Sequence, residues 1–128
     1  MKKAICLLFV LFFSVALMNQ AYAITMSDEV FLYTTASLSS NKDVSFTLIT
    51  NYPTSPISIG SCVLQIKTNN NWNNVCTLPS PTITGQGIDY CSAFADYSSY
   101  IGTGTYRIKY NATADGHTIT RYSNSRTF

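Results

Sequence analysis

Apolar and polar residues alternate with a period of two along several stretches of this chain. The clearest stretch is 104–112, in which Tyr106 and Ile108 alternate with Arg107 and Lys109. Successive side chains of a β-strand point to opposite faces, so this pattern predicts strands that bury one face. No stretch after residue 23 keeps an apolar period of 3.6 residues, and the pattern therefore favours strands over helices throughout.

Turn-forming residues separate these stretches. Asn69–Asn71 caps a predicted hairpin, Asp115-Gly116 is a strong hairpin signal, and a connection rich in Pro and Gly covers 79–87. The predicted strands, about seven in number, lie near 29–36, 43–50, 57–67, 72–77, 88–94, 104–112 and 117–123. Strands at this spacing without intervening helices predict an all-β, antiparallel sandwich.

The first 23 residues have the three parts of a signal peptide. Lys2-Lys3 precedes an apolar stretch over 5–18, and Ala21-Tyr22-Ala23 fits the small-x-small cleavage pattern. We therefore expect cleavage after Ala23 and a bacterial protein that is periplasmic or secreted. The mature chain, 24–128, has the size of a single domain. No later stretch approaches a spanning length, so we expect no membrane insertion after cleavage.

The composition of the mature chain narrows the function further. Thr, Ser and Asn supply 39 of its 105 residues, which suits strands and turns. Lys2 and Lys3 belong to the leader, and six basic residues then balance six acidic ones. A net charge of zero gives no support to a nucleic-acid binder or to a binder of anionic membranes.

Three cysteines remain after the leader is removed: Cys62, Cys76 and Cys91. An oxidising compartment favours one disulfide. A hairpin that is symmetric about Asn69 places Cys62 opposite Cys76, within disulfide reach, and leaves Cys91 free or paired between molecules. A bridge from Cys91 to either of the others stays open as an alternative. The spacing and the single histidine, His117, do not favour a metal site.

Two segments resemble parts of immunoglobulin-like domains. Residues 102–110, Gly-Thr-Gly-Thr-Tyr-Arg-Ile-Lys-Tyr, resemble the entry to the sixth strand, and Val63-Leu64-Gln65 followed by Trp72-Asn73-Asn74-Val75 resembles the third-strand hairpin of bacterial modules. The resemblance implies an immunoglobulin-like sandwich in which Tyr106 is the corner tyrosine, with its hydroxyl bonded to backbone upstream. The Cys…Trp…Cys pattern of antibody-type domains is absent, and the architecture itself implies no particular activity.

Candidate catalytic residues are few. His117 has Asp115 nearby in sequence, but no nucleophile is tied to either by spacing. Asp89 and Asp96 are the only carboxylates near an aromatic cluster, and a glycosidase would need them positioned as a pair. We expect a protein that is not an enzyme and that needs no cofactor or metal.

Aromatic residues give the better functional signal. Tyr97 and Tyr100 lie in a stretch rich in Ser and Ala, a composition typical of recognition loops. Trp72 and Asn70, at the Asn-rich turn, are the second candidate pair, with Trp72 as an anchor or a platform for a sugar ring. Core packing is the alternative for these aromatics, and it is favoured for Trp72 and Tyr90.

The sequence therefore predicts an exported, non-enzymatic module that binds a protein or a surface glycan through loops rich in Tyr, Ser and Asn. One alternative is a structural subunit of a surface assembly, in which case the protein is an oligomer. An inhibitor or immunity protein of an exported toxin is another, and an envelope hydrolase is the least favoured.

Overall fold

A computed structural model describes residues 29–54 and 56–128 of the chain. This part is all-β, and its nine strands pair only in the antiparallel sense. The strands are β1 (Phe31–Leu38), β2 (Asp43–Thr50), β3 (Ile57–Thr68), β4 (Asn71–Leu78), β5 (Thr82–Gln86), β6 (Tyr90–Asp96), β7 (Thr105–Ala114), β8 (His117–Tyr122) and β9 (Arg126–Thr127). The predicted leader, 1–23, lies outside the described residues.

The strands form two sheets. The first sheet has the order β1-β2-β6-β5 and the second the order β4-β3-β7-β8, with the short β9 beside the start of β7. The all-β antiparallel sandwich predicted from the sequence is confirmed. The estimate of about seven strands missed β5, which lies in the connection rich in Pro and Gly, and the two-residue β9.

The core fills the space between the sheets with the inward residues of each strand. In β7, Tyr106, Ile108 and Tyr110 are buried, whereas Arg107 between them is only half-buried, on the outer face. Phe46 of the first sheet meets Tyr110 of the second edge-on, with ring centroids 5.3 Å apart. Burial of one such side chain contributes roughly 1.5–3 kcal/mol. Because the period-two alternation directs these side chains inward from both sheets, their burial holds the sheets together.

The β3–β4 hairpin turns on Asn69 and Asn70, which both have positive φ angles, 50° and 64°. Two successive residues in this conformation form a type I′ turn, which matches the twist of the strands and which Asn tolerates. The turn pairs Lys67 with Trp72. A hairpin symmetric about Asn69 would instead pair Trp72 with Ile66, on the core face. The observed pairing differs by one residue, and Trp72 therefore lies on the outer face.

The same register separates Cys62 from Cys76. Cys62 pairs with Leu78, and Cys76 pairs with Leu64, because the register shifts just after Leu64. A disulfide needs Cβ atoms roughly 3.5–4.5 Å apart, which facing positions supply and a diagonal pair does not. Cys62, Cys76 and Cys91 are all free thiols in the structure. The predicted Cys62–Cys76 disulfide is therefore wrong.

The segment that follows β8 ties the two sheets together. Ile108 of the second sheet donates its backbone N–H to the Ser123 hydroxyl at 2.8 Å. Asn124 exchanges two hydrogen bonds with the backbone of Leu38 in the first sheet, at 2.7 and 3.1 Å. The Asn124 amide thereby takes the place of a neighbouring strand at the end of the edge strand β1.

Two tyrosines anchor the loop between β6 and β7. Tyr97 is 1% exposed, and its hydroxyl donates to the Pro79 carbonyl oxygen at 2.7 Å. The Tyr106 hydroxyl donates to the Thr103 carbonyl oxygen, three residues upstream, at 3.3 Å. Both tyrosines are buried, so each ring fixes the loop to the core as well as to backbone.

We expect Tyr97→Phe to lower the free energy of unfolding by about 1 kcal/mol, because it leaves a partly buried carbonyl without its donor. Tyr106→Phe should cost less, since a 3.3 Å hydroxyl contact is longer than the normal range and correspondingly weaker. Urea denaturation of the two variants beside the wild type measures both values. An equal loss, or a larger loss for Tyr106→Phe, would contradict this ranking.

The three thiols should differ in reactivity. Burial raises the pKa of the Cys62 and Cys91 thiols, both of which are fully buried, whereas Cys76 is only half-buried. Because the thiolate is the reactive form, iodoacetamide should modify Cys76 first in the folded protein, on the order of tenfold faster than the others. Peptide mapping by mass spectrometry measures this order. Labelling of Cys91 as fast as Cys76 would show that β6 opens readily.

Candidate binding face

Tyr97 does not lie on the surface. The sequence pattern proposed it as a binding residue, but the structure places it in the core with its hydroxyl bonded to Pro79. Burial raises the pKa of this phenol, as expected for a hydroxyl shielded from water. Its proposed role as a contact residue is therefore corrected: Tyr97 anchors the loop that carries Tyr100.

Tyr100 is 42% exposed, and its ring meets Tyr97 edge-on at 6.3 Å. Asn70 is exposed at the β3–β4 turn. Ile66 near the end of β3 pairs with Tyr106 at the start of β7, so the turn and the loop before β7 lie at the same end of the sandwich. Tyr100 and Asn70 remain accessible there, but Trp72 belongs to the outer face of the second sheet.

Three side chains from three strands stack on that outer face. The Arg107 guanidinium of β7 lies 4.4 Å from the ring centroid of Trp72 in β4 and 4.0 Å from that of Tyr122 in β8. The Lys67 ammonium lies 5.9 Å from the same Trp72 ring. A cation within about 6 Å of an aromatic ring is attracted to its face. The arrangement places one planar cation between two aromatic rings.

Amide side chains hold this arginine in position. Gln65 of β3 is paired in register with Arg107 on one side and with Asn74 of β4 on the other. Arg107 donates from Nε to Gln65 Oε1 at 2.8 Å, and Gln65 donates from Nε2 to Asn74 Oδ1 at 2.9 Å. Two aromatic rings and a hydrogen bond at Nε thus restrain the guanidinium. Partial burial lowers its pKa.

We call the group Gln65, Lys67, Trp72, Asn74, Arg107, Lys109 and Tyr122 the outer patch. Lys109 belongs to it because it pairs with Tyr122 across β7 and β8. The three basic side chains of the outer patch carry three positive charges, and none of its members is acidic. In the sequence, Arg107 and Lys109 are recognisable only as outward positions of a strand. The cross-strand register is what brings them beside Trp72 and Tyr122.

Aromatic and aliphatic side chains, instead of a stacked cation, lie on the outer face of the first sheet. Tyr33, Ile49 and Tyr90 lie side by side in register across β1, β2 and β6. Tyr90 is 46% exposed and Phe94 on the same strand is 42% exposed. The expectation that Tyr90 fills the core is wrong, because Cys91 and Ala93 are the inward residues of β6.

The candidate catalytic carboxylates are not arranged for glycoside hydrolysis. Asp89 and Asp96 lie at opposite ends of β6, and a strand rise of roughly 3.3 Å per residue separates them by about 20 Å. Asp96 faces Asp43 instead, but it accepts a hydrogen bond from the Ser98 N–H at 2.9 Å, which lowers its pKa. A carboxylate held in its charged form is poorly suited to donate a proton.

Residues 29–54 and 56–128 contain neither a cluster of metal ligands nor a helix that could span a membrane. No three His, Cys, Asp or Glu side chains come together there as metal ligands. Within the same residues, no helix is long and apolar enough to cross a membrane. Comparisons with family models, with curated proteins and with solved structures find no match for the chain.

Trp72 is the only tryptophan and reports directly on the stack. We expect Arg107→Ala to uncover the Trp72 ring, which raises acrylamide quenching of its fluorescence and costs about 0.5–1 kcal/mol of stability. Lys67→Ala should change the quenching less, since its ammonium lies farther from the ring. Equal quenching in the wild type and Arg107→Ala would mean that the stack does not persist in solution.

Proposed function

We propose that this chain is an exported, non-enzymatic binding module with an immunoglobulin-like fold, and that it contacts its partner through the outer patch. Export rests on the leader over 1–23. The periplasm or the extracellular space is then its place of action, and the mature protein begins at Ile24.

Strand order supports the immunoglobulin-like assignment. Numbered as A to G, the order β1-β2-β6-β5 is A-B-E-D, and the order β4-β3-β7-β8 is C′-C-F-G. These are the two sheets of immunoglobulin-like sandwiches, with strand C′ added to the second. Tyr106 opens strand F and bonds to backbone upstream, which is the position and the contact of a corner tyrosine.

The stack of Trp72, Arg107 and Tyr122 is the observation that carries the proposed binding role. Trp, Tyr and Arg are the residue types that dominate the energetics of protein recognition. Here they lie together on a surface, already ordered by stacking and by the Gln65 hydrogen bond. Order in the unbound state reduces the entropy lost on binding, so such a cluster is well suited to recognition.

A structural subunit of a surface assembly is the second candidate function. The exposed, uncharged face formed around Tyr90 and Phe94 favours it, because an assembly needs a surface that a neighbouring subunit covers. Size-exclusion chromatography with and without reductant separates the two candidates. A stable monomer at high concentration argues for the binding module, and a reductant-sensitive oligomer argues for pairing through a cysteine.

The binding role is tested with cell envelopes from the producing organism. We expect Trp72→Ala and Tyr122→Ala each to weaken binding of the purified protein by roughly 1–2 kcal/mol, about 5- to 30-fold. Each substitution also removes one ring from the Arg107 stack, which at about 0.5–1 kcal/mol lowers the melting temperature by a few degrees and leaves the protein folded. Co-sedimentation of labelled protein with envelopes measures the affinity.

Tyr100→Ala is the matched control, because Tyr100 and Tyr122 are almost equally exposed, at 42% and 43%. It should leave binding unchanged. If Tyr100→Ala weakens binding and Tyr122→Ala does not, the loop before β7 is the contact surface, and the assignment to the outer patch is wrong.

A further inference from the structure

Arg107 has hydrogen-bonding capacity that the fold does not use. A guanidinium carries five N–H donors, and the Gln65 contact takes the one at Nε. No hydrogen bond joins the terminal nitrogens of Arg107 to another of the described residues. These nitrogens form the planar fork that pairs with a carboxylate through two parallel hydrogen bonds.

The surface around this guanidinium is positively charged, although the mature chain has a net charge of zero. Lys67 and Lys109 flank Arg107 on the same face. The carboxylates of the described residues lie elsewhere: Glu29, Asp89 and Asp115 at the far end of the sandwich, and Asp43 and Asp96 on the first sheet. The uncompensated charge attracts an anionic ligand to this face.

We propose that the outer patch binds a polysaccharide that carries carboxylates, a chain of uronic acids. Arg107 receives the carboxylate through its terminal nitrogens, with Lys67 and Lys109 beside it. Trp72 and Tyr122 contact the C–H groups of the sugar rings with the parts of their own rings that Arg107 leaves uncovered. This inference rests on the proposed binding role and names the chemistry of its ligand.

The shape of the face favours a glycan over an acidic peptide. An extended peptide binds by adding a strand to a sheet edge, whereas Arg107 and Gln65 lie in the middle of the sheet, on strands paired on both sides. The outer face crosses four strands, about 14 Å at roughly 4.8 Å per strand, which matches a short oligosaccharide.

The polar neighbours of the stack also suit sugar hydroxyls. Asn74 borders the stack and is exposed, whereas Gln65 beside it is buried and its amide is already bonded to Arg107 and Asn74. Along the same face, the Asn111 amide bonds to the hydroxyls of Ser61 and Thr120, at 3.3 and 2.9 Å. Amides and hydroxyls both donate and accept, as sugar hydroxyls do, so they recognise a polyol better than an acidic side chain.

The test measures binding of the purified protein to immobilised polygalacturonate and alginate. Two further ligands are matched controls: methyl-esterified polygalacturonate, which has the same backbone without the charge, and poly-glutamate, which has the charge without the sugar. We expect binding to the two polyuronates, weakened by added salt. We also expect at least tenfold weaker binding to the ester and to poly-glutamate.

Variants tie this binding to the outer patch. Arg107→Lys keeps the charge but loses the planar fork, so it should weaken polyuronate binding about tenfold. Arg126→Lys is the control, because Arg126 lies on β9 and bonds to the Leu38 carbonyl, away from the patch. It should bind as the wild type does. Unchanged affinity in Arg107→Lys would overturn the role given to Arg107.

Each other result contradicts the inference in a different way. Equal binding to the methyl ester makes the ligand a neutral glycan, and equal binding to poly-glutamate makes it an acidic protein surface. If no polyuronate binds while envelope binding still depends on Trp72, the inference about the ligand fails and the proposed function stands. If envelope binding is also insensitive to Trp72, both fail.

Discussion

The register of the β3–β4 hairpin is the constraint on which the outer surface of the second sheet depends. Two asparagines with positive φ close the turn in two residues, and Lys67 therefore faces Trp72. A turn longer or shorter by one residue would send Trp72 to the opposite face, because the side-chain period of a strand is two. The turn thus decides whether the only tryptophan fills the core or lies over Arg107.

The net charge of the mature chain does not indicate the positively charged outer patch. Six basic and six acidic residues cancel in the mature chain, and the sum gives no reason to expect an anionic ligand. Among the described residues, the carboxylates lie at turns, bends and strand ends, whereas Arg107 and Lys109 occupy outward positions of a central strand. Electrostatic attraction acts over about one Debye length, roughly 8–10 Å, so the local arrangement matters more than the total.

The sequence was sufficient for the parts of the fold that depend on local pattern. Alternation in 104–112 predicted a strand with a buried face, and Asp115-Gly116 predicted the turn that follows, where both residues have positive φ. The sequence was not sufficient for the features that depend on how the strands pair with one another. The disulfide, the side of the sheet on which Trp72 lies and the contacts of Arg107 all require the register across β4, β3 and β7, which no single segment contains. The prediction that Tyr97 is a surface contact was wrong for a related reason. The composition of its loop does not reveal that the Pro79 carbonyl oxygen lies within hydrogen-bonding distance of the Tyr97 hydroxyl.

Core and candidate site are coupled through the same strand. Arg107 is flanked in sequence by Tyr106 and Ile108, both buried, so the packing that holds the two sheets together also fixes the backbone from which Arg107 projects. The stacked rings and the Gln65 bond then restrict the side chain itself. A surface arginine on a loop would lose rotamer freedom on binding, at about 0.5–1.5 kcal/mol, and here much of that loss has occurred on folding. A rigid sheet face is consequently a better place for this contact than the loops that the composition first suggested.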